Sequence, residues 1–141
     1  MDPLSLIINA QTGWTLHYAR RFDEAIQACE RTLEIDPNFF GARWGVAMAR
    51  EQKHQFPETI EAAKKAIANS RENPGPRDQL AHALALSGRE REARAILEDL
   101  RSLSTRRYIP AYWFAVVEAG LGEKDAAFTW LEKSLSSPKA F

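Results

Sequence analysis

Apolar residues recur along residues 21–39 at the spacing of an amphipathic helix. They are Phe22, Ala25, Ile26, Cys29 and Leu33. Acidic residues open this segment, where they suit the positive end of a helix dipole. Asp36-Pro37 closes it, because proline disfavours helical geometry in the preceding residue. A similar pattern over residues 6–19 predicts a second helix upstream, so the two segments together predict a helical hairpin.

The same pattern returns every 34 residues. Small residues mark the interval on the second helix of each hairpin: Ala25, Thr59, Ala93 and Ala127. A matching set falls on the first helix: Gly13, Ala47, Ala81 and Ala115. Two antiparallel helices can cross closely only where their side chains are small, which gives these positions a mechanical role. Gly88 and Gly122 fall between helices, where a left-handed cap suits glycine.

This interval predicts one continuous solenoid of four helical hairpins. The predicted units are 6–39, 40–73, 74–107 and 108–141. The predicted helices are 5–19, 23–35, 39–52, 57–69, 76–87, 90–102, 109–120 and 125–136. Asp2-Pro3 precedes Asp36-Pro37 by 34 residues. Residues 1–5 are therefore interpreted as the remnant of a preceding unit, and the chain as a fragment of a longer array.

A unit of this length with small residues at these positions and a closing proline resembles the tetratricopeptide repeat. The residues that carry the resemblance in the first unit are Gly13, Leu16, Ala25, Ile26 and Pro37. Those in the fourth unit are Ala115, Gly122, Ala127 and Leu131. The resemblance implies an all-α fold, a right-handed superhelical α-solenoid of four repeats. The first and last units also resemble the arrays at the C-terminal end of large bacterial regulators, which implies a sensory or assembly role in a larger bacterial protein.

Some positions depart from the repeat pattern. Arg50 and Glu118 stand where Leu16 and Leu84 are apolar, so these charged side chains must pack differently or extend toward water. Two further departures are Arg94, in place of an Ile26-type residue, and Arg71, in place of Pro37. Units two and three are the least regular.

The composition argues against several classes of function. Lys plus Arg and Asp plus Glu are both 19, so the net charge is zero, whereas nucleic-acid and membrane-surface binding need a surplus of positive charge. No segment approaches the roughly 18–20 apolar residues of a membrane span. Cys29 is the only cysteine and cannot form an internal disulfide, which favours a reducing compartment. A cytoplasmic location is predicted.

Catalytic and metal-binding chemistry finds little support. The histidines His17, His54 and His82 form no metal-ligand pair, so no metal and no cofactor are predicted, and His54 is interpreted as a turn residue. Cys29 is interpreted as a buried structural thiol. No nucleotide-binding or hydrolase motif occurs, and the chain is predicted not to be an enzyme. Two arginine clusters differ in their surroundings: Arg89, Arg91 and Arg94 are interleaved with glutamates as a solvated face, and Arg101, Arg106 and Arg107 are a weaker candidate for an acidic partner.

The resemblance implies that the first helix of each unit lines a concave groove. The residues it places there are Trp14, His17, Tyr18, Trp44, Met48, Gln52, Asp78, His82, Tyr112 and Val116. This set is rich in aromatic residues and poor in charge, which favours a peptide or helical segment with apolar side chains. The alternative is that some rings pack between helices, Trp113 above all. The basic clamp with which some family members bind a C-terminal carboxylate is absent.

The leading prediction is a non-catalytic scaffold that binds a protein or peptide partner in this groove. The alternative is a structural module that self-associates through its terminal helices. Trp130, Leu131 and Leu135 lie on the last predicted helix, with no later helix to cover them. Exposed apolar residues of this kind favour association, so a concentration-dependent homodimer is the second prediction.

Overall fold

The protein is represented by a computed structural model that describes residues 3–70 and 73–136. This part of the chain contains helices and no strands. The helices are α1 (Pro3–Tyr18), α2 (Phe22–Ile35), α3 (Phe40–Gln52), α4 (Phe56–Asn69), α5 (Gly75–Leu86), α6 (Glu90–Ser104), α7 (Ala111–Gly120) and α8 (Lys124–Ser136). The predicted all-α helical repeat fold is confirmed, and the predicted helix bounds differ from these by no more than two residues. The predictions that rest on Asp2, on Arg71 and on residues 137–141 lie outside the described residues.

The chain divides into two compact units, residues 1–76 and residues 77–141. In the first unit α1 packs on α2, α2 on α3 and α3 on α4, and α1 also meets α3. In the second unit α6 packs on α7 and α7 on α8. Consecutive helices therefore stack within each unit, as expected of a helical repeat.

Glycines let the helices of the first unit approach one another around Cys29. A Cβ added to Gly13 of α1 would lie 2.5 Å from Sγ of Cys29 on α2, and one added to Gly45 of α3 would lie 2.8 Å from the same atom. Cys29 is buried, and burial raises the pKa of its thiol to about 11. The thiol thus fills the space that two glycines leave on the flanking helices, in agreement with its prediction as a structural residue.

The turn within each helical hairpin has the same backbone geometry. One residue per turn has a left-handed φ: Arg20 (64°), His54 (58°), Gly88 (78°) and Gly122 (80°). In each turn the amide three positions beyond the last helical residue donates to a carbonyl five residues earlier, as from Arg89 to Leu84 (2.9 Å). This is the Schellman cap of a helix. The interpretations of Gly88, Gly122 and His54 as turn residues are confirmed.

The second unit has an apolar core between α5, α6 and α7. Its buried members are Ala81, Leu97, Leu100, Ile109, Phe114 and Val117. Trp113 and Trp130 are half-buried and pack against this core. The Trp130 ring stacks on Phe114 with centroids 4.4 Å apart, and Nζ of Lys133 lies 4.7 Å from the Trp130 centroid. Trp130 is therefore partly covered within its own hairpin.

Charged residues at apolar repeat positions are satisfied by neighbouring polar groups. Glu118 is buried and accepts a hydrogen bond from Nη2 of Arg101 at 2.8 Å. Arg50 donates to Oε1 of Gln55 at 2.8 Å and lies 3.6 Å from a carboxylate oxygen of Glu30. These positions thus pack through polar pairs where other repeats use leucine.

Candidate functional site

A cleft of about 390 Å³ opens between the first helix and the start of the third in the unit of residues 1–76. Its lining comprises Ile7, Ala10, Gln11, Trp14, Tyr18, Phe39, Phe40, Gly41 and Trp44. Five of these side chains are aromatic, and none of the described lining residues carries a charge. The helix α1 contributes no Asp, Glu, Lys or Arg anywhere along its length. The cleft is therefore an uncharged, aromatic-walled surface.

The tryptophans form a fixed wall. The rings of Trp14 and Trp44 meet edge to face with centroids 5.4 Å apart. The indole N–H of Trp14 donates to the carbonyl oxygen of Gly41 at 3.1 Å, which ties α1 to the first turn of α3. Trp44 lies against the backbone of Gly75, where an added Cβ would be 2.3 Å from its ring. These contacts hold both indoles in place without a ligand.

The remaining aromatic rings are more accessible. Phe40 lies 5.7 Å from Trp44 between ring centroids, and Tyr18 lies 6.3 Å from Trp14. The Tyr18 side chain is 72% exposed. The hydroxyl of Tyr18 and the amide of Gln11 are polar side-chain groups at the cleft that lie on exposed residues. The site can bury an apolar side chain and offer neutral hydrogen-bonding groups at its edge, and its described lining holds no charged group for acid–base chemistry.

Comparisons with known proteins identify the repeat. Residues 9–39 match the family model described as tetratricopeptide repeat. The structure resembles TTC0263, a thermophilic TPR protein of Thermus thermophilus, with a TM-score of 0.75 and 22% identity over 94% of this chain and 74% of that one. It also resembles MamA, with a TM-score of 0.71 and 19% identity over 95% of this chain and 78% of that one. The chain therefore has the fold of a tetratricopeptide repeat array. A comparison with curated protein sequences finds no match.

Tetratricopeptide repeats serve in general as scaffolds for protein–protein interaction. In the described part of this chain, no three His, Cys, Asp or Glu residues are grouped so as to hold a metal ion. Within the same residues, no helix has the length and hydropathy needed to cross a membrane.

The cleft brings together part of the predicted groove. Trp14, Tyr18 and Trp44 line it, whereas Met48 is half-buried and Gln52 exposed elsewhere on α3. His17 lies beside the cleft, with its ring 5.3 Å from that of Tyr18. Burial lowers the pKa of His17, and the nearby carboxylate of Glu51 opposes that shift.

The other predicted groove residues belong to the unit of residues 77–141. Asp78 and His82 lie half-buried on α5. On α7, Tyr112 is exposed and Val116 half-buried. His82 lies close to Gly120, where an added Cβ would be 3.2 Å from its Cδ2. The partner-binding role of these four residues stays a prediction.

Sequence reasoning missed four side chains of the cleft: Ile7, Gln11, Phe39 and Phe40. The two phenylalanines sit at the junction between repeats, immediately before and at the start of α3. The groove residues predicted on α3 begin at Trp44 and therefore do not include these two phenylalanines. Two adjacent aromatic residues soon after Asp36-Pro37 were the available signal.

The predicted self-association residues differ in exposure. Leu135 is 79% exposed, whereas Leu131 and Trp130 are half-buried. Phe128 is 63% exposed and was missed. The repeat interval could have found it, because Phe128 occupies the position of the buried Ile26.

Proposed function

We propose that this protein is a non-catalytic scaffold that binds an apolar segment of a protein partner in the cleft of its first unit. The observation that carries the proposal is the uncharged lining with two fixed tryptophans and an exposed Tyr18. Aromatic residues held rigidly lose little entropy on binding and dominate many protein interfaces. An apolar or aromatic side chain of the partner is the matching ligand chemistry.

The size of the cleft suits one or two such side chains. Its volume of about 390 Å³ is near the lower end of the roughly 300–1,000 Å³ of ligand pockets. Burying one Leu or Phe side chain contributes about 1.5–3 kcal/mol, whereas micromolar binding needs about 8 kcal/mol. A single side chain is therefore insufficient, and the bound segment must continue along neighbouring surface.

A titration with defined peptides tests the proposal. The probes are capped hexapeptides that carry two central leucines or two central phenylalanines, with central aspartates or lysines as charge controls. Calorimetry and tryptophan fluorescence should detect binding of the apolar peptides and not of the charged ones. Tyr18→Ala should weaken binding by about 1–2 kcal/mol, since this exposed ring is lost without disturbing the core.

Tyr108→Ala is the matched control. Tyr108 is also exposed, and it lies outside the cleft, in the segment that joins α6 to α7. Equal affinity of wild type and Tyr18→Ala, or equal affinity for apolar and charged peptides, would contradict the proposed site. Tyr112→Ala tests the predicted role of a groove residue in the second unit. A loss in that variant supports its participation.

Self-association is a second candidate function, favoured by the exposure of Phe128 and Leu135 on α8. Light scattering over a wide concentration range should then show a rising mass. A monomer at every concentration would refute it.

A further inference from the structure

Along one face, the residues of α8 are more exposed than their equivalents on the second helix of the first repeat. Phe128, Leu131 and Leu135 of α8 correspond, three repeat intervals earlier, to Ile26, Cys29 and Leu33 of α2. Ile26 is only 5% exposed and Cys29 is fully buried, because α3 covers them. Phe128 at the position of Ile26 is 63% exposed. A helix of the α3 type is thus what covers this face.

The helix α1 exposes the complementary face. Ile8, Gln11 and Thr15 are all exposed, and Ile8 by 55%. One repeat later their equivalents are Ala42, Gly45 and Ala49 of α3, all buried. Ala49 shares a cluster with Ile26, and Gly45 adjoins Cys29. The face that α3 presents to α2 is therefore the face that α1 leaves open.

We propose that copies of this chain associate head to tail, with α8 of one copy packed on α1 of the next as α2 packs on α3. This inference rests on self-association, the second proposed function, and it specifies the partner and both surfaces. The contact is heterologous, because each copy contributes a different face. A dimer formed in this way still has one free α1 face and one free α8 face. Further copies can therefore add at both ends unless the copies close into a ring.

The internal junction supplies the register of the contact. Ile26 faces Ala49 and Cys29 faces Gly45, so the two helices run antiparallel. Shifted by whole repeats, this register sets Phe128 opposite Thr15 of the next copy and Leu131 opposite Gln11. Leu135 then lies opposite Ile8 of the next copy, which pairs two exposed apolar side chains at one end of the contact.

The side chains that α1 would bring to the proposed contact are bulkier than those that α3 brings to α2. The protein contains another junction between consecutive helices in which both helices carry bulky side chains. Between α6 and α7, Leu97 and Leu100 belong to the same core cluster as Val117, with Trp113 packed against it. In the repeat, Leu97 and Leu100 correspond to Leu131 and Ser134 of α8. Val117 and Trp113 correspond to Thr15 and Gln11 of α1. Large residues on both helices are thus accommodated in this fold.

The test uses one substitution on each face, Ile8→Asp and Phe128→Asp. Both side chains are more than half exposed in the isolated chain, so the substitutions should leave the fold intact. Sedimentation velocity of the wild type should show a mass that rises past the dimer with concentration. Each variant alone should have its apparent dissociation constant raised at least about tenfold, because a charge is placed in an apolar contact.

The decisive sample is an equimolar mixture of the two variants. Ile8→Asp retains an intact α8 face and Phe128→Asp an intact α1 face, so the mixture should form a dimer and nothing larger. A mixture that stays monomeric overturns the head-to-tail contact. The head-to-tail contact is also overturned if Ile8→Asp alone associates as strongly as the wild type. That result would indicate that copies pair through α8 only, and self-association itself would still be supported.

A wild-type chain that remains monomeric overturns both the contact and self-association. Tyr108→Asp is the matched control, since it places the same charge at an exposed aromatic residue off both faces and should associate as wild type. Circular dichroism checks that each variant is folded. If Phe128→Asp is not folded, Leu135→Asp replaces it, because Leu135 is 79% exposed and lies on the same face.

Discussion

The packing of Cys29 between two glycines makes a quantitative prediction for Gly13→Ala. Alanine favours the interior of a helix over glycine by about 1 kcal/mol. The new Cβ would lie 2.5 Å from Sγ of Cys29, whereas non-bonded heavy atoms prefer about 3.5–4.0 Å. Overpacking of this kind costs about 1–3 kcal/mol. The clash therefore outweighs the helix propensity, and we expect a net loss of about 1 kcal/mol in the free energy of unfolding.

Removing the sulfur of Cys29 should reverse the sign of the effect that Gly13→Ala has on the free energy of unfolding. Cys29→Ala alone leaves a small cavity and should cost about 1–2 kcal/mol. In that background the methyl group of Gly13→Ala occupies the vacated space, although the carbonyl oxygen of Ala25 remains 3.3 Å from it. The second substitution should then be neutral or stabilising. The double-mutant cycle should give a favourable coupling free energy of about 1–2 kcal/mol.

The assay is urea unfolding of the four proteins, followed by far-ultraviolet circular dichroism. Gly41→Ala is the matched control, because its Cβ would meet the Phe39 ring at an ordinary 3.5 Å. That variant should be neutral or slightly stabilising. Additive effects at positions 13 and 29, within about 0.5 kcal/mol, would refute the proposed contact, as would stabilisation by Gly13→Ala alone.

Three further predictions concern the turns, the buried carboxylate and pH. Gly88→Ala should cost about 1 kcal/mol because its φ is left-handed, whereas His54→Gly should raise the thermal midpoint by relieving the same strain; equal shifts in one direction would contradict this. Arg101→Met should cost about 2 kcal/mol in urea unfolding by leaving the buried Glu118 carboxylate without its partner, and adding Glu118→Leu should recover most of the loss; no recovery would locate the effect elsewhere. Burial lowers the pKa of His17 below 6.5, so the unfolded state binds the proton more readily and the protein loses stability as the pH falls below 6.5. His17→Gln should flatten this part of the plot of urea midpoint against pH, and an unchanged plot would refute the role of His17.

The helices were predictable from the sequence because their apolar positions recur at a helical period and the recurrence repeats every 34 residues. The roles of Gly13, Gly88 and Gly122 were equally accessible, since a close crossing or a left-handed turn has few alternatives to glycine. The turns at Arg20 and His54 have the same geometry. Their residue types do not indicate it, and only the repeat interval does.

The cleft was predictable only in part. Trp14, Tyr18 and Trp44 follow from their repeat positions, but Phe40 at the start of α3 also lines the cleft. A repeat position does not specify the side-chain orientation of a large aromatic residue. Trp130 illustrates the same limit. Its place on the last helix suggested exposure, yet its ring stacks on Phe114 within the hairpin.

The central claim is that the aromatic cleft of the first unit receives an apolar segment, and nuclear magnetic resonance of the indole N–H groups tests it most directly. The protein has four tryptophans, and each gives one such signal. Titration with the two-leucine hexapeptide should shift the signals of Trp14 and Trp44, which line the cleft, and leave those of Trp113 and Trp130 in place. Shifts confined to Trp113 and Trp130, or no shift at a saturating peptide concentration, would contradict the account.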